Sequence, residues 1–150
     1  MAETMQAKST AELLNVVHKN VKMASDSILN VMPKVKNEKL KSDMTVQLSA
    51  FEAFASRAAK LLAEEGAKPE EEGTVSKLSA KWGTMLNTMI DSTTSHLAQM
   101  MIEGATMGVN ELTHELRRAE SARASESTLR LMRDVCAYEE QIIEEMKAYL

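Results

Sequence analysis

The sequence predicts an all-α protein, one antiparallel four-helix bundle, and three observations carry that prediction. Aromatic residues make up only 3% of the 150 residues while methionine counts 12, so Leu, Met, Val, Ile and Ala must fill the core. Apart from the β-branched pair these side chains suit helices, whereas aromatic and β-branched residues favour sheets. Apolar residues also recur at three- and four-residue steps along successive stretches, which marks one face of a helix. The connections between those stretches are short, which favours antiparallel neighbours. A chain of this length needs one core. Residues 9–150 are therefore expected to form a single domain behind a polar, disordered tail at 1–8.

Helix one is expected to start at Ser9 or Thr10, because Ser9-Thr10-Ala11-Glu12 matches a capping box. Leu14, Val17, Val21, Ala24, Ile28 and Val31 form its apolar stripe, and Pro33 ends or bends it. Helix two is expected from about Asn37 to Glu65, with Leu40, Met44, Leu48, Phe51, Ala55, Ala58 and Leu62 on its stripe. Gly66 stands where a left-handed C-cap is wanted. The stretch from Ala67 to Gly73 reads as a loop.

Helix three is expected to begin near Thr74, with Trp82, Leu86, Met89, Thr93, Leu97, Met100, Gly104 and Met107 on one face. Continued to Arg118 it would hold about 45 residues and reach roughly 65–70 Å, against about 35–45 Å for helices one and two. A compact bundle cannot use that whole length as one rod. Gly104 and Gly108, four apart, are the expected site of a kink or break. A polar segment around Ser121–Ser127 precedes helix four, which carries Leu129, Met132, Val135, Cys136, Ile142, Ile143 and Met146.

Composition excludes several functions. A formal net charge of −4 argues against general nucleic-acid binding, which needs a basic face. The single cysteine, Cys136, permits neither an internal disulfide nor a cysteine zinc site. Residues 1–10 lack the apolar stretch of a signal peptide. The most apolar region, Trp82 to Val109, is interrupted by Asp91, His96 and Glu103, so membrane insertion is not expected. A cytoplasmic protein is expected. Neither a Gly-rich phosphate loop nor a nucleophile elbow is present.

What remains is a small set of His and Glu residues on helices. Glu111 and His114 form a Glu-x-x-His step, whose members share a helix face and could bind one iron or manganese ion. The competing reading is a solvated helix end with pairing through Glu115, Arg117 and Arg118, and it is favoured because only one such step exists. His96 and Thr93 fall on the buried stripe of helix three, where a hydrogen-bonded core histidine is favoured over a metal ligand. Glu139 falls on the stripe of helix four between Cys136 and Ile142. If buried it needs a partner or a proton, and a half-exposed boundary position is slightly favoured. Glu52 and His18 lie beside the stripes of helices two and one. Counting levels along antiparallel helices puts Glu52 and His96 on the order of 12 Å apart, too far to share an ion. Met85, Met89, Met100, Met101 and Met107 could bind Cu(I) through thioethers, but flexible core filling is favoured. Cys136 reads as inert packing.

The segment from Leu13 to Asn20, the run from Ser92 to Gly108, and Glu139-Glu140 resemble uncharacterised ferritin-like helical-bundle proteins of bacteria, chiefly Firmicutes. The resemblance covers about residues 10 to 149 and implies a ferritin-like four-helix arrangement without an established activity. Ferritin-like metal centres carry a Glu on the first helix, a Glu-x-x-His step on the second, and the same pair again on the third and fourth. Here helix one offers no mid-length Glu, Glu52 is followed three residues on by Ala55, and Glu139 by Ile142. The resemblance implies the fold more than the di-iron chemistry, since fold alone does not transfer function. The reading is thus a non-enzymatic bundle without a cofactor, acting through self-association as a homo-oligomer or through partner binding. The alternative is a divergent ferritin-like metal-binding protein, a di-iron or manganese oxidoreductase or a metal-storage protein, with ligands drawn from His96, Glu139, Glu111, His114 and Glu52. A small-ligand pocket near His96 and Glu139 is a third possibility.

Overall fold

A computed structural model describes residues 9–70, 84 and 91–150, and among these there are four long α-helices and no strand. Helix α1 spans Thr10–Val31, α2 Glu38–Glu64, α3 Thr94–Ser121 and α4 Glu126–Met146; short 3-10 turns follow at Met32–Lys34 and Lys147–Tyr149. The N-terminal tail and most of the expected first half of helix three, including Trp82, Met85, Leu86 and Met89, lie outside the described residues.

Local chemistry sets the helix ends. Ser9 Oγ accepts from the Glu12 N–H at 3.1 Å and lies 3.3 Å from the Glu12 carboxylate, as a capping serine does. At Pro33 the chain tightens into a 3-10 turn, because proline has no N–H to continue the α ladder. Asn37 then caps α2 by accepting from the Leu40 N–H at 2.9 Å. Gly66, at φ +71°, ends α2, and the Ala67 N–H donates back to the Leu62 carbonyl at 2.9 Å, a Schellman closure. Arg123 takes the same left-handed role after α3 at φ 56°, with the Ala124 N–H donating to the Ala119 carbonyl. Ser125 caps α4.

The break in the long third segment is not where the glycines are. Helix α3 runs without interruption through Gly104 and Gly108, and its N-cap is Thr93. Asp91 accepts from the Thr93 N–H at 2.9 Å, and Thr93 Oγ1 accepts from the His96 N–H at 3.3 Å. These side chains bond the backbone outside the helix ladder and satisfy its first free N–H groups, which fixes the start of α3 here. Thr93 is accordingly exposed rather than on the buried stripe.

Helix α1 packs mainly on α2, and α3 on α4. Leu13, Leu14, Val17 and Val21 of α1, Leu40, Met44 and Leu62 of α2, Leu97 and Leu112 of α3, and Leu131, Met132 and Met146 of α4 are all essentially inaccessible. Full burial of each such side chain stabilises by about 1.5–3 kcal/mol before chain entropy is counted. The contacts between α2 and α4 follow an orderly progression. Arg57 pairs with Asp134 at 3.0 Å, Phe51 and Phe54 meet the Tyr138 ring edge-on at 5.6 and 5.7 Å, and the Tyr149 hydroxyl donates to Asp43. As positions fall along α2 they rise along α4 and past its end. Beyond Gly66 the chain folds back on α1, where Asn15 Oδ1 accepts from the Glu70 N–H at 2.9 Å and Lys19 pairs with the Glu70 carboxylate.

Candidate functional site

All four helices contribute to one pocket of about 50 Å³. Its walls are largely apolar: Met23, Ile28 and Val31 from α1, Met44 and Phe51 from α2, Met100, Met101 and Met107 from α3, and Ile142 from α4. Four polar side chains interrupt them, Asn20 and Ser27 from α1, Gln47 from α2 and Glu139 from α4, and of these Ser27 is satisfied by donating to the Met23 carbonyl at 2.7 Å. A mostly apolar concavity with a few placed polar groups is the usual form of a small-molecule site.

Glu139 is the chemical centre. Only 2% of it is exposed, so the position is not the boundary site the sequence favoured. Its carboxyl lies against Gly108 of α3, where a Cβ would come within 2.6 Å of Oε1 and 2.9 Å of Oε2. Gly108 is therefore the residue whose missing side chain makes room for the carboxyl. Burial, and secondarily the charge of Glu111, hold the Glu139 carboxyl well above the usual carboxylate range. Asn20 ties the neighbourhood together. Its Nδ2 donates to the Gly108 carbonyl at 3.3 Å and to Glu111 Oε1 at 3.1 Å. Glu139 Oε2, Asn20 Oδ1 and both ends of the Gln47 amide are buried and meet no hydrogen-bonding partner among the described residues. A buried polar atom left so costs about 1–3 kcal/mol, which makes their meeting at one pocket significant.

The structure brings together only part of the sequence-derived set. Glu139 and Glu111 are neighbours, as the charge of one on the other shows. His96 sits half-exposed in the first turn of α3, and its charge acts on Asp91. Asp91 itself is held below the usual carboxylate range chiefly by the Thr93 N–H. Glu52 on α2 and His114 on α3 are exposed. Among the described residues no group of three or more His, Cys, Asp and Glu side chains is placed to hold a metal ion. His18 is half-buried, and burial followed by the charge of Lys22 lowers its pKa. The Cys136 thiol is buried with Thr113 Oγ1 at 3.6 Å, and burial pushes its pKa up. That is the environment of an unreactive thiol. The solvated end expected around Glu115 is only partly so: Glu115 is buried, and its Oε1 lies 3.9 Å from Arg118.

Two members of the pocket, Asn20 and Gln47, escaped the sequence reading. Both carry a positional signal. Asn20 follows Val17 by three, and Gln47 stands three after Met44 and four before Phe51, so each occupies a core position of its stripe. Leu48, which the period places on the stripe, is half-buried while Gln47 is 1% exposed.

Fold and site together define an all-α protein with a polar-centred interior pocket, and no helix among the described residues is long and apolar enough to cross a membrane. No protein-family model matches the chain, and no curated protein matches it. Among solved structures it is similar to YcfI of Rhodopseudomonas palustris, described as a candidate structural protein, with a TM-score of 0.73 and 11% identity. That alignment covers 93% of this chain and 94% of the other. At such identity the likeness establishes the shared helical fold and nothing about the site.

Proposed function

We propose that this chain is a non-enzymatic binding protein, an antiparallel bundle of ferritin-like type that takes a small amphipathic molecule into its interior. One observation carries the reading: three buried side chains with unpartnered polar atoms, on three helices, line a single pocket otherwise walled by methionine and aliphatic groups. The opposed order of contacts between α2 and α4 supports the antiparallel arrangement. Met-rich walls suit such a role because the unbranched thioether adapts its shape to a guest.

The test is a titration of the full chain, labelled with ¹³C at the methionine methyls, with n-butylamine, n-butanol and sodium butyrate in turn. At least one compound should shift the methyl signals of Met23, Met44, Met100, Met101 or Met107 saturably, leaving Met132 and Met146 unmoved. If none of the three compounds moves the pocket methyls, the pocket is not a binding site and the reading falls.

A second reading, self-association as a homo-oligomer, is favoured by the similarity over nearly the whole chain to a protein described as a candidate structural one. Sedimentation at micromolar concentration checks it: a monomer throughout would count against assembly.

A further inference from the structure

The unpartnered atoms of the pocket are not a random mixture of donors and acceptors. The Asn20 amide has a fixed orientation, since its nitrogen already serves the Gly108 carbonyl and the Glu111 carboxylate. Turning it over would set an oxygen against two acceptors, so the atom left for a guest is Oδ1, an acceptor. Glu139 Oε2 is an acceptor whenever the carboxyl is ionised, and the Gln47 amide can present its oxygen. Three acceptor oxygens thus come from α1, α2 and α4. Among the described residues that line the pocket there is no Lys, Arg or His, while Glu139 lies in the wall and Glu111 beside it. A cation entering the pocket favours the ionised carboxyl, so Glu139 gives up its proton to solvent and becomes the countercharge, whereas an anionic guest would meet like charge at Glu111 and hold Glu139 protonated. A primary ammonium group carries three N–H donors and one positive charge.

We propose that the pocket is a binding site for a short alkylammonium ion, with the ammonium among Glu139, Asn20 and Gln47 and the alkyl chain among the methionines. This rests on the reading that the pocket takes a small molecule, and it names the class of that molecule. A neutral alcohol of equal length offers one donor where the site has three acceptors, and it brings no charge. A cavity of about 50 Å³ suits a guest of roughly four carbons, since one water needs about 10–15 Å³ on the same measure.

Calorimetric titration of the full chain at neutral pH with n-butylamine, n-butanol and sodium butyrate tests the proposal. The amine should bind about ten-fold or more tightly than the alcohol, because a charge-assisted hydrogen bond is roughly twice as strong as a neutral one. Butyrate should show no binding. E139Q keeps the shape of the side chain and removes its charge, and it should reduce the preference for amine over alcohol to within about two-fold. Q47M, which removes one acceptor and no charge, should weaken the amine by a few-fold while the preference persists; should E139Q not fold, this variant carries the test. Alcohol binding as tightly as amine, or an E139Q protein that keeps the full preference, would overturn the ammonium assignment and leave the pocket standing. Failure of all three compounds to bind would remove both.

Discussion

Gln47 poses the sharpest question at the scale of single residues, because a long amide is buried with neither end bonded among the described residues. A protein selected for stability alone would place a methionine or leucine there. Replacing Gln47 by Met conserves volume and removes two unsatisfied groups, so Q47M should raise the stability by about 1–3 kcal/mol. Urea denaturation checks this through an increased midpoint at unchanged slope. An unchanged or lowered midpoint would mean that the amide is satisfied in solution, and Gln47 would lose its standing as a binding residue. Asn20 differs, since its nitrogen holds a carbonyl and a carboxylate on α3. Truncating it would leave those groups without their donor and destabilise the fold. Of two buried amides, then, one ties helices together and the other is held in reserve for a guest.

At the scale of helices, the contact that decides the site is the approach of α4 to α3 at Gly108. The three atoms nearest to a Cβ at that position all belong to the Glu139 carboxyl group. G108A should therefore cost about 1–3 kcal/mol through overpacking, offset by about 1 kcal/mol of improved helix propensity. With Glu139 also replaced by Ala the clash disappears and the propensity gain remains. A double-mutant cycle on thermal stability should accordingly show coupling of about 1 kcal/mol or more, whereas additive effects would mean that the carboxyl swings aside without cost. Such approaches explain what the sequence shows and what it conceals. Ser9, Asn37, Gly66 and Ser125 announce helix ends through local chemistry and are legible one at a time. The start of α3 was legible in principle, in Asp91-x-Thr93 followed by His96, but Thr93 also fits the helical period and so passed for a core residue. The spacing of Gly104 and Gly108 predicts a kink or break, yet α3 is continuous through both, and Gly108 makes room for the neighbouring helix. Glu139 was legible as an acid on an apolar stripe. Its meeting with Gly108, Glu111 and Asn20 depends on interhelical register, which no spacing within one helix specifies.

For the whole molecule, the buried acid Glu139 makes stability depend on pH, and the sign follows from proton binding. The Glu139 carboxyl titrates well above its ordinary value of 4.5 in the folded chain, because burial and then the Glu111 charge disfavour ionisation. Between those two values the native state holds a proton that the unfolded chain has lost. Stability therefore falls as pH rises from about 4.5 through the raised native value, and it is level above that. His18 acts in the opposite sense. Its pKa lies below 6.5 in the folded protein through burial and the charge of Lys22, so its contribution is present above 6.5 and lost as pH falls towards the lowered value. The raw profile mixes the two, and the difference between E139Q and the unaltered chain isolates the acid. That difference should favour E139Q increasingly as pH is raised from 4 to 9, read from urea midpoints at each pH. A difference constant across the range would mean that Glu139 titrates like a solvated carboxylate, contrary to its burial. Saturating butylammonium should stabilise the unaltered chain more at high pH than at low, because the ligand supplies the countercharge that the empty pocket lacks. The ion would thus offset, in the state that binds it, the same penalty that the buried acid places on folding.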